Sequence, residues 1–156
     1  MRHVIGMLMV MLSASVWAAG EPVLKLSPKL RGALVAEMAG LKEGMADLTG
    51  ALATGDWPRA SKRALAIRDS YILKQKLTRD ELEQLEHALP QDFQDMDVRF
   101  HRHAEALAQA AERHDGELAG FYLGRMIDGC VSCHTRYATH TLPGFSMGAP
   151  AAGHAH

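Results

Sequence analysis

Two cysteines and a histidine lie close together in the last third of the chain and carry its clearest chemical signal. Cys130 and Cys133 are separated by two residues, and His134 follows directly, which gives the spacing C-x-x-C-H. On a helix that advances about 100° per residue, the three side chains fall within one face. Two thiols can add to the two vinyl groups of a haem while the imidazole binds its iron, and C-x-x-C-H is the pattern of c-type haem attachment. The sequence therefore predicts one covalent haem c on Cys130 and Cys133, with His134 as an axial metal ligand.

The same residues have two simpler interpretations. A local disulfide could join the two thiols, or the motif could be half of a zinc site. These are the only two cysteines in the chain, so a second pair that would complete a structural zinc site is missing. Covalent haem remains the favoured prediction.

Composition limits the class of protein. A length of 156 residues corresponds to about one domain, and a net charge of -1 provides no basic field to recruit nucleic acid. Apolar residues make up 47% but aromatics only 6%, because alanine, leucine and methionine dominate, and these favour helices over sheets. No phosphate-binding loop or nucleophile–base pair is recognisable, so we expect no enzyme.

The N-terminal stretch has the pattern of a signal peptide. Arg2 and His3 form a short basic region, an apolar run spans 4–16, and Ala18 supplies a small residue for cleavage. We predict a signal peptide over 1–19, export to the bacterial periplasm, and no membrane attachment after cleavage. An uncleaved N-terminal anchor is the alternative.

Apolar residues recur in alternating steps of three and four along most of the remaining chain. The predicted helices cover about 28–54, 57–75, 78–87, 90–113 and 116–139. Four of them are long and joined by short connections, which predicts an all-α, antiparallel up-down-up-down four-helix bundle with the haem on its C-terminal helix. The bundle domain spans 20–140, and the glycine-, alanine- and proline-rich segment 141–156 is predicted to be a flexible tail.

One face of the last predicted helix carries Gly116, Gly120 and Gly124. Glycine lowers helix propensity by about 1 kcal/mol relative to alanine, so packing must offset it. We expect a neighbouring helix or a second subunit to approach this face closely.

These features resemble the class II c-type cytochromes, namely cytochrome c′ and its low-spin relatives of the cytochrome c-556 type. The resemblance covers roughly 27–140 and depends on Met38 in the first helix, Gly55-Asp56 at the first turn, the C-x-x-C-H motif, and Tyr137 three residues after its histidine. It implies that Tyr137 packs on the haem edge and that an arginine contacts the propionates. In the family this arginine usually follows the aromatic residue, whereas here Arg136 precedes it. The resemblance also implies redox partner proteins and a homodimer.

The sixth iron ligand decides between functions. By 1.5 Å per residue, His134 lies about 28 Å into the last helix, and Met38 lies about 24 Å before the end of the first. Leu34, at about 30 Å, also fits as an apolar plug beside an open site, whereas Met45, at about 14 Å, does not. A third alternative is His103, predicted to lie inward at a similar height.

Two functions follow from these alternatives. With His134 and Met38 as axial ligands, the protein would be a low-spin electron carrier of relatively high potential. With an open sixth site, it would bind small gases such as nitric oxide or carbon monoxide. An accessory role within a larger redox complex is a third hypothesis.

Overall fold

The computed structural model describes residues 24–145, and all regular structure in that range is helical. The helices are α1 (Pro28–Ala53), α2 (Trp57–Arg68), α3 (Tyr71–Lys76), α4 (Arg79–Ala88), α5 (Gln91–Glu112) and α6 (Gly116–Tyr137), followed by a 3-10 turn, Pro143–Phe145. The all-α fold class is confirmed. The predicted signal peptide, 1–19, lies outside the described residues, as do residues 146–156 of the predicted tail.

The first helix begins and ends where its sequence predicts. Ser27 caps it by accepting a hydrogen bond from the backbone N–H of Leu30, and proline occupies the first helical position. At the other end, Gly55 has a φ of 69°, and the N–H groups of Gly55 and Asp56 donate to the carbonyls of Leu52 and Ala51. This is a Schellman motif, which a left-handed glycine makes favourable.

The second predicted helix is interrupted, so the prediction of one helix over 57–75 is wrong. α2 ends at Arg68 and α3 begins at Tyr71, because Ser70 adopts a φ of 46°. No glycine or proline marks this break in the sequence. A contact with another helix accompanies the break: Ser70 Oγ lies 3.2 Å from Nε2 of His101 on α5, within hydrogen-bonding distance.

The main apolar core lies between four helices. α6 packs chiefly on α5, α5 on α2, and α1 on α2 and α3, whereas α1 approaches α6 only lightly. A second, smaller core joins the start of α1 to α4 through Leu30, Ala33, Leu77 and Leu85. None of the helices in residues 24–145 combines the length and the apolar character needed to cross a membrane.

Contacts between successive helices fix which residues lie at the same level. Asp47 on α1 pairs with Arg63 on α2, with Oδ2 and Nε 2.7 Å apart. Ser61 on α2 donates to Glu112 near the end of α5 at 3.2 Å. On α5 and α6, the Phe93 ring lies 5.2 Å from the Tyr137 ring.

Candidate functional site

Cys130, Cys133 and His134 lie in the last two turns of α6, as predicted. Both cysteines are half-buried and present as free thiols, so no disulfide joins them. Burial raises the pKa of the Cys133 thiol to about 11, with a further contribution from Asp97 and Cys130, and burial also raises the pKa of Cys130. Both thiols are therefore protonated at neutral pH in the free chain.

The imidazole of His134 is half-buried, and burial lowers its pKa. Within residues 24–145 neither ring nitrogen has a hydrogen-bond partner. The ring of Phe145, in the 3-10 turn, lies edge-on with its centroid 5.7 Å away. The first residues of the segment predicted to be a flexible tail thus fold back onto His134, which the composition of that segment did not indicate.

Tyr137 lies on the same face of α6 as the cysteines, one turn beyond Cys133, and is only 5% exposed. Its hydroxyl and the Asp92 carboxylate face each other without regular hydrogen-bond geometry, but they are close enough for Tyr137 to lower the pKa of Asp92. Arg136 forms an ion pair with Asp92, and its guanidinium lies 5.7 Å from the Tyr137 ring centroid. Arg136 is therefore directed toward α5, and a role at haem propionates would require it to leave Asp92.

The apolar repeat of α1 predicts a buried line of Leu34, Met38, Leu41, Met45, Leu48 and Leu52, but only Leu41 and Leu48 of this set are buried. The most buried positions are Leu30, Ala33, Glu37, Gly40, Leu41, Gly44, Leu48 and Ala51. Leu34, Met38 and Met45 lie at one edge of this stripe and are only half-buried. The absence of a side chain on Gly44 lets α1 approach α2 closely, whereas contacts between α1 and α6 are sparse. Met38 and Met45 pack beside the main core together with Cys130.

One layer of contacts crosses the whole bundle near this site. The position of a Cβ on Gly44 of α1 would lie 3.3 Å from Ile67 Cδ1 on α2. The Ile67 carbonyl accepts a 2.8 Å hydrogen bond from Nδ1 of His101 on α5. Phe100, which precedes His101 on α5, has its Cδ2 atom 3.4 Å from the position of a Cβ on Gly129 of α6. These residues give a common reference level for α1 and α6.

His103 lies at a different level from His134. Its ring centroid is 5.9 Å from that of Tyr122, which precedes His134 by twelve residues on α6. Twelve residues correspond to about 18 Å along a helix, far more than two axial bonds to one iron can span. The expectation that His103 lies at the height of His134 is therefore wrong.

A polar cluster beside the site was missed by the sequence analysis. Glu37 on α1 is 2% exposed, and its Oε2 accepts a 2.9 Å hydrogen bond from the backbone N–H of Leu73 on α3. Burial raises the pKa of Glu37, although the Leu73 N–H and the charge of His101 act to lower it. The side chain of His101 is 14% exposed rather than solvent-facing, and its Nε2 lies 3.4 Å from Asp97. Nothing in the apolar pattern marks Glu37 as buried, because a charged residue at a core position interrupts that pattern.

The environment of His101 predicts a pH-dependent stability. Burial opposes protonation of His101, but Asp97, the Ile67 carbonyl and Glu37 together raise its pKa above the ordinary 6.5. A histidine whose pKa is raised by folding stabilises the fold fully below its ordinary pKa, and this contribution is lost as the pH rises through the folded value. We expect His101→Gln to lower the free energy of unfolding by about 1–3 kcal/mol at acid pH, from lost charged hydrogen bonds, and by less at alkaline pH.

Urea unfolding of the wild type and of His101→Gln, between about pH 5.5 and 8.5, measures how the loss of stability depends on pH. His103→Gln is the matched control, since burial lowers the pKa of His103 and its contribution to stability should instead grow as the pH rises. The same loss in His101→Gln at every pH would show that the charge of His101 contributes nothing.

Among residues 24–145, the glycine face of α6 has only one close neighbour. The Trp57 ring lies 3.3 Å from the Cβ position of Gly116, whereas nothing lies within 4 Å of the corresponding positions on Gly120 and Gly124. A neighbouring helix therefore does not explain the last two glycines.

Comparison of the chain with protein-family models, with curated proteins and with solved structures gives no match.

Proposed function

We propose that this chain is a periplasmic c-type cytochrome that carries single electrons. It would hold one covalent haem c through Cys130 and Cys133, with His134 and Met38 as axial ligands. The observation that supports the proposal most strongly is the C-x-x-C-H motif on one helix face. Within the part of the chain that the structure describes, both thiols are free and the imidazole nitrogens have no hydrogen-bond partner. When bound, the haem supplies a one-electron iron couple.

The residues around the motif fit a flat apolar group. Leu34, Met38 and Met45 form an edge of α1 that the described residues bury only in part, and α1 approaches α6 only lightly. Apolar surface left half-exposed beside two cysteines gains stability when an apolar group covers it. Burial raises the pKa of both thiols above the ordinary value, so they are available in the protonated form that adds to the haem vinyl groups.

The proposed fold is an antiparallel up-down-up-down bundle of α1, α2 with α3, α5 and α6. Two levels of contact support each pairing of neighbouring helices. On α5 and α6, Phe93 meets Tyr137 and His103 meets Tyr122, so later residues of one helix meet earlier residues of the other. The same reversal relates α1 to α2 and α3, where Glu37 meets Leu73.

The layer through Gly44 and Gly129 supports Met38 as the sixth ligand. In an antiparallel arrangement, Met38 lies six residues from Gly44 and His134 lies five residues from Gly129, on the same side of the layer. At 1.5 Å per residue these separations are about 9 Å and 7.5 Å, so the two side chains lie at nearly equal heights. Met38 thus suits the face of an iron opposite His134.

The chain's own residues would then have separate tasks. His134 and Met38 would both stay bound to the iron in either oxidation state, which would limit reorganisation during electron transfer. The thioether sulfur of Met38 would favour a relatively high reduction potential. Tyr137 would close the apolar site one turn beyond Cys133. The carrier requires no substrate pocket, only transient contact with redox partner proteins.

The second candidate function is gas binding at an open sixth site. Leu34 shares the half-buried edge with Met38, so an apolar side chain is available to line the site if the thioether does not bind. In that case nitric oxide or carbon monoxide would be the ligand.

The full chain exported with a haem-maturation system tests the proposal. We expect one haem per chain, retained after denaturation and visible as the corresponding gain in mass. Haem that is lost on denaturation, or a chain of unmodified mass, would contradict covalent attachment and remove both candidate functions.

A further inference from the structure

Glu37 is an unusual residue for the interior of a bundle. It is one of only two buried polar side chains among the described residues, and its Oε1 has no hydrogen-bond partner. A buried polar group costs free energy unless it is fully hydrogen-bonded, and a carboxyl is more costly than a neutral group. Burial of Glu37 therefore costs folding free energy, which its single well-formed hydrogen bond from the N–H of Leu73 only partly offsets.

That hydrogen bond joins α1 to the start of α3. Ser70, which precedes α3, makes no side-chain cap, because its hydroxyl lies instead against His101. The first N–H groups of a helix lack partners within the helix. Glu37 supplies an acceptor for one of them from a different helix, and so fixes the direction in which this turn of α1 faces.

The direction of Glu37 determines the direction of Met38. The two residues are adjacent, so their side chains leave α1 about 100° apart. With Glu37 held against α3, Met38 lies at the half-buried edge of α1 and packs beside the main core, as Cys130 also does. A side chain reaches about 5.5 Å from the helix axis, so a 20° rotation of α1 would displace its end by about 2 Å. Ligand geometry tolerates only about 0.5 Å.

We propose that Glu37 is a positioning residue that orients α1 so that Met38 can occupy the sixth coordination site. This inference depends on the proposed function, since it requires Met38 to be a ligand. It assigns the buried carboxylate a role that core packing alone does not explain. Glu37 acts through its hydrogen bond to α3 and through the adjacent backbone, without touching the iron.

Two substitutions separate the hydrogen bond from the volume of the side chain. Glu37→Gln keeps an acceptor oxygen for the Leu73 N–H, whereas Glu37→Leu has similar size and no acceptor. We expect Glu37→Gln to remain low-spin, and Glu37→Leu to lose the far-red band of methionine-ligated ferric haem. We expect the apparent affinity of Glu37→Leu for carbon monoxide to rise about tenfold, the equivalent of one hydrogen bond. In a Met38→Ala background, Glu37→Leu should add no further change.

Asp47→Leu is the matched control. Asp47 also joins α1 to a neighbouring helix, through Arg59 and Arg63, but it lies about 15 Å from Glu37 along α1. It should lower stability without changing the spectrum. If Glu37→Leu does not fold, Glu37→Asp retains the charge but shortens the side chain, and it should weaken the methionine band in a folded protein.

The outcomes distinguish a failure of the role proposed for Glu37 from a failure of the proposed electron-carrier function. A low-spin wild type that becomes high-spin in Met38→Ala but stays unchanged in Glu37→Leu, or in Glu37→Asp if that variant is used, overturns only the role of Glu37. Equal spectral loss in Glu37→Gln and Glu37→Leu would also overturn it, because the acceptor would then be irrelevant. A wild type that is already high-spin overturns both proposals.

Discussion

Met38→Ala is expected to convert the haem protein from six-coordinate low-spin to five-coordinate high-spin. Alanine cannot reach the iron, so the far-red band should disappear and carbon monoxide should bind the reduced protein. The reduction potential should fall, since a thioether ligand raises it. Because Met38 is only half-buried, its truncation should cost about 1–3 kcal/mol of stability, toward the lower end of values for buried methionine.

Met45→Ala is the control for this experiment. Met45 lies on the same half-buried edge of α1, seven residues or about 10 Å further along the helix. Its truncation removes the same atoms from a similar environment and should leave the spectrum and the carbon monoxide response unchanged. Spectral changes of equal size in both variants would mean that packing at this edge, rather than ligation by Met38, controls the iron.

Replacing both Cys130 and Cys133 with alanine is expected to abolish covalent haem entirely. The two thiols are the only ones in the chain, so no other thioether can form. His134 and Met38 would remain, and any haem that still bound would dissociate when the protein is denatured. Haem staining of a denaturing gel, together with intact mass, measures the loss.

Single variants refine this result. Cys130→Ala and Cys133→Ala should each leave at most one thioether and a lower yield of haem protein, whereas Ser132→Ala, between them, should have no effect. Retention of denaturation-resistant haem in the double variant would contradict attachment through the motif.

Signals that act over a few residues were readable from the sequence. The helix limits predicted near residues 28, 54 and 78 agree with the structure. Pro28, Gly55 and the capping box of Thr78 and Glu81 mark these limits, because each satisfies or removes nearby backbone hydrogen bonds. The placement of C-x-x-C-H in the last turns of α6 was also predictable, because the motif lies near the end of the last predicted helix, 116–139.

Features that depend on contacts between helices were not readable. The break at Ser70 involves a hydroxyl contact with His101, thirty-one residues away, and no local signal accompanies it. The buried stripe of α1 is set by its contacts with α2 at Gly44 and with α3 at Glu37, whereas the apolar pattern alone favoured the larger side chains at its edge. Glu37 was missed because a buried acid is recognisable only from its partners.

The visible spectrum of the exported protein tests the central claim most directly. It should be recorded in the oxidised and reduced states, with and without carbon monoxide. The account predicts a low-spin spectrum of covalent haem with the weak far-red band of methionine ligation, unchanged when carbon monoxide is added. A high-spin spectrum that shifts with carbon monoxide would contradict ligation by Met38 and favour gas binding, and the absence of any haem spectrum would contradict the account as a whole.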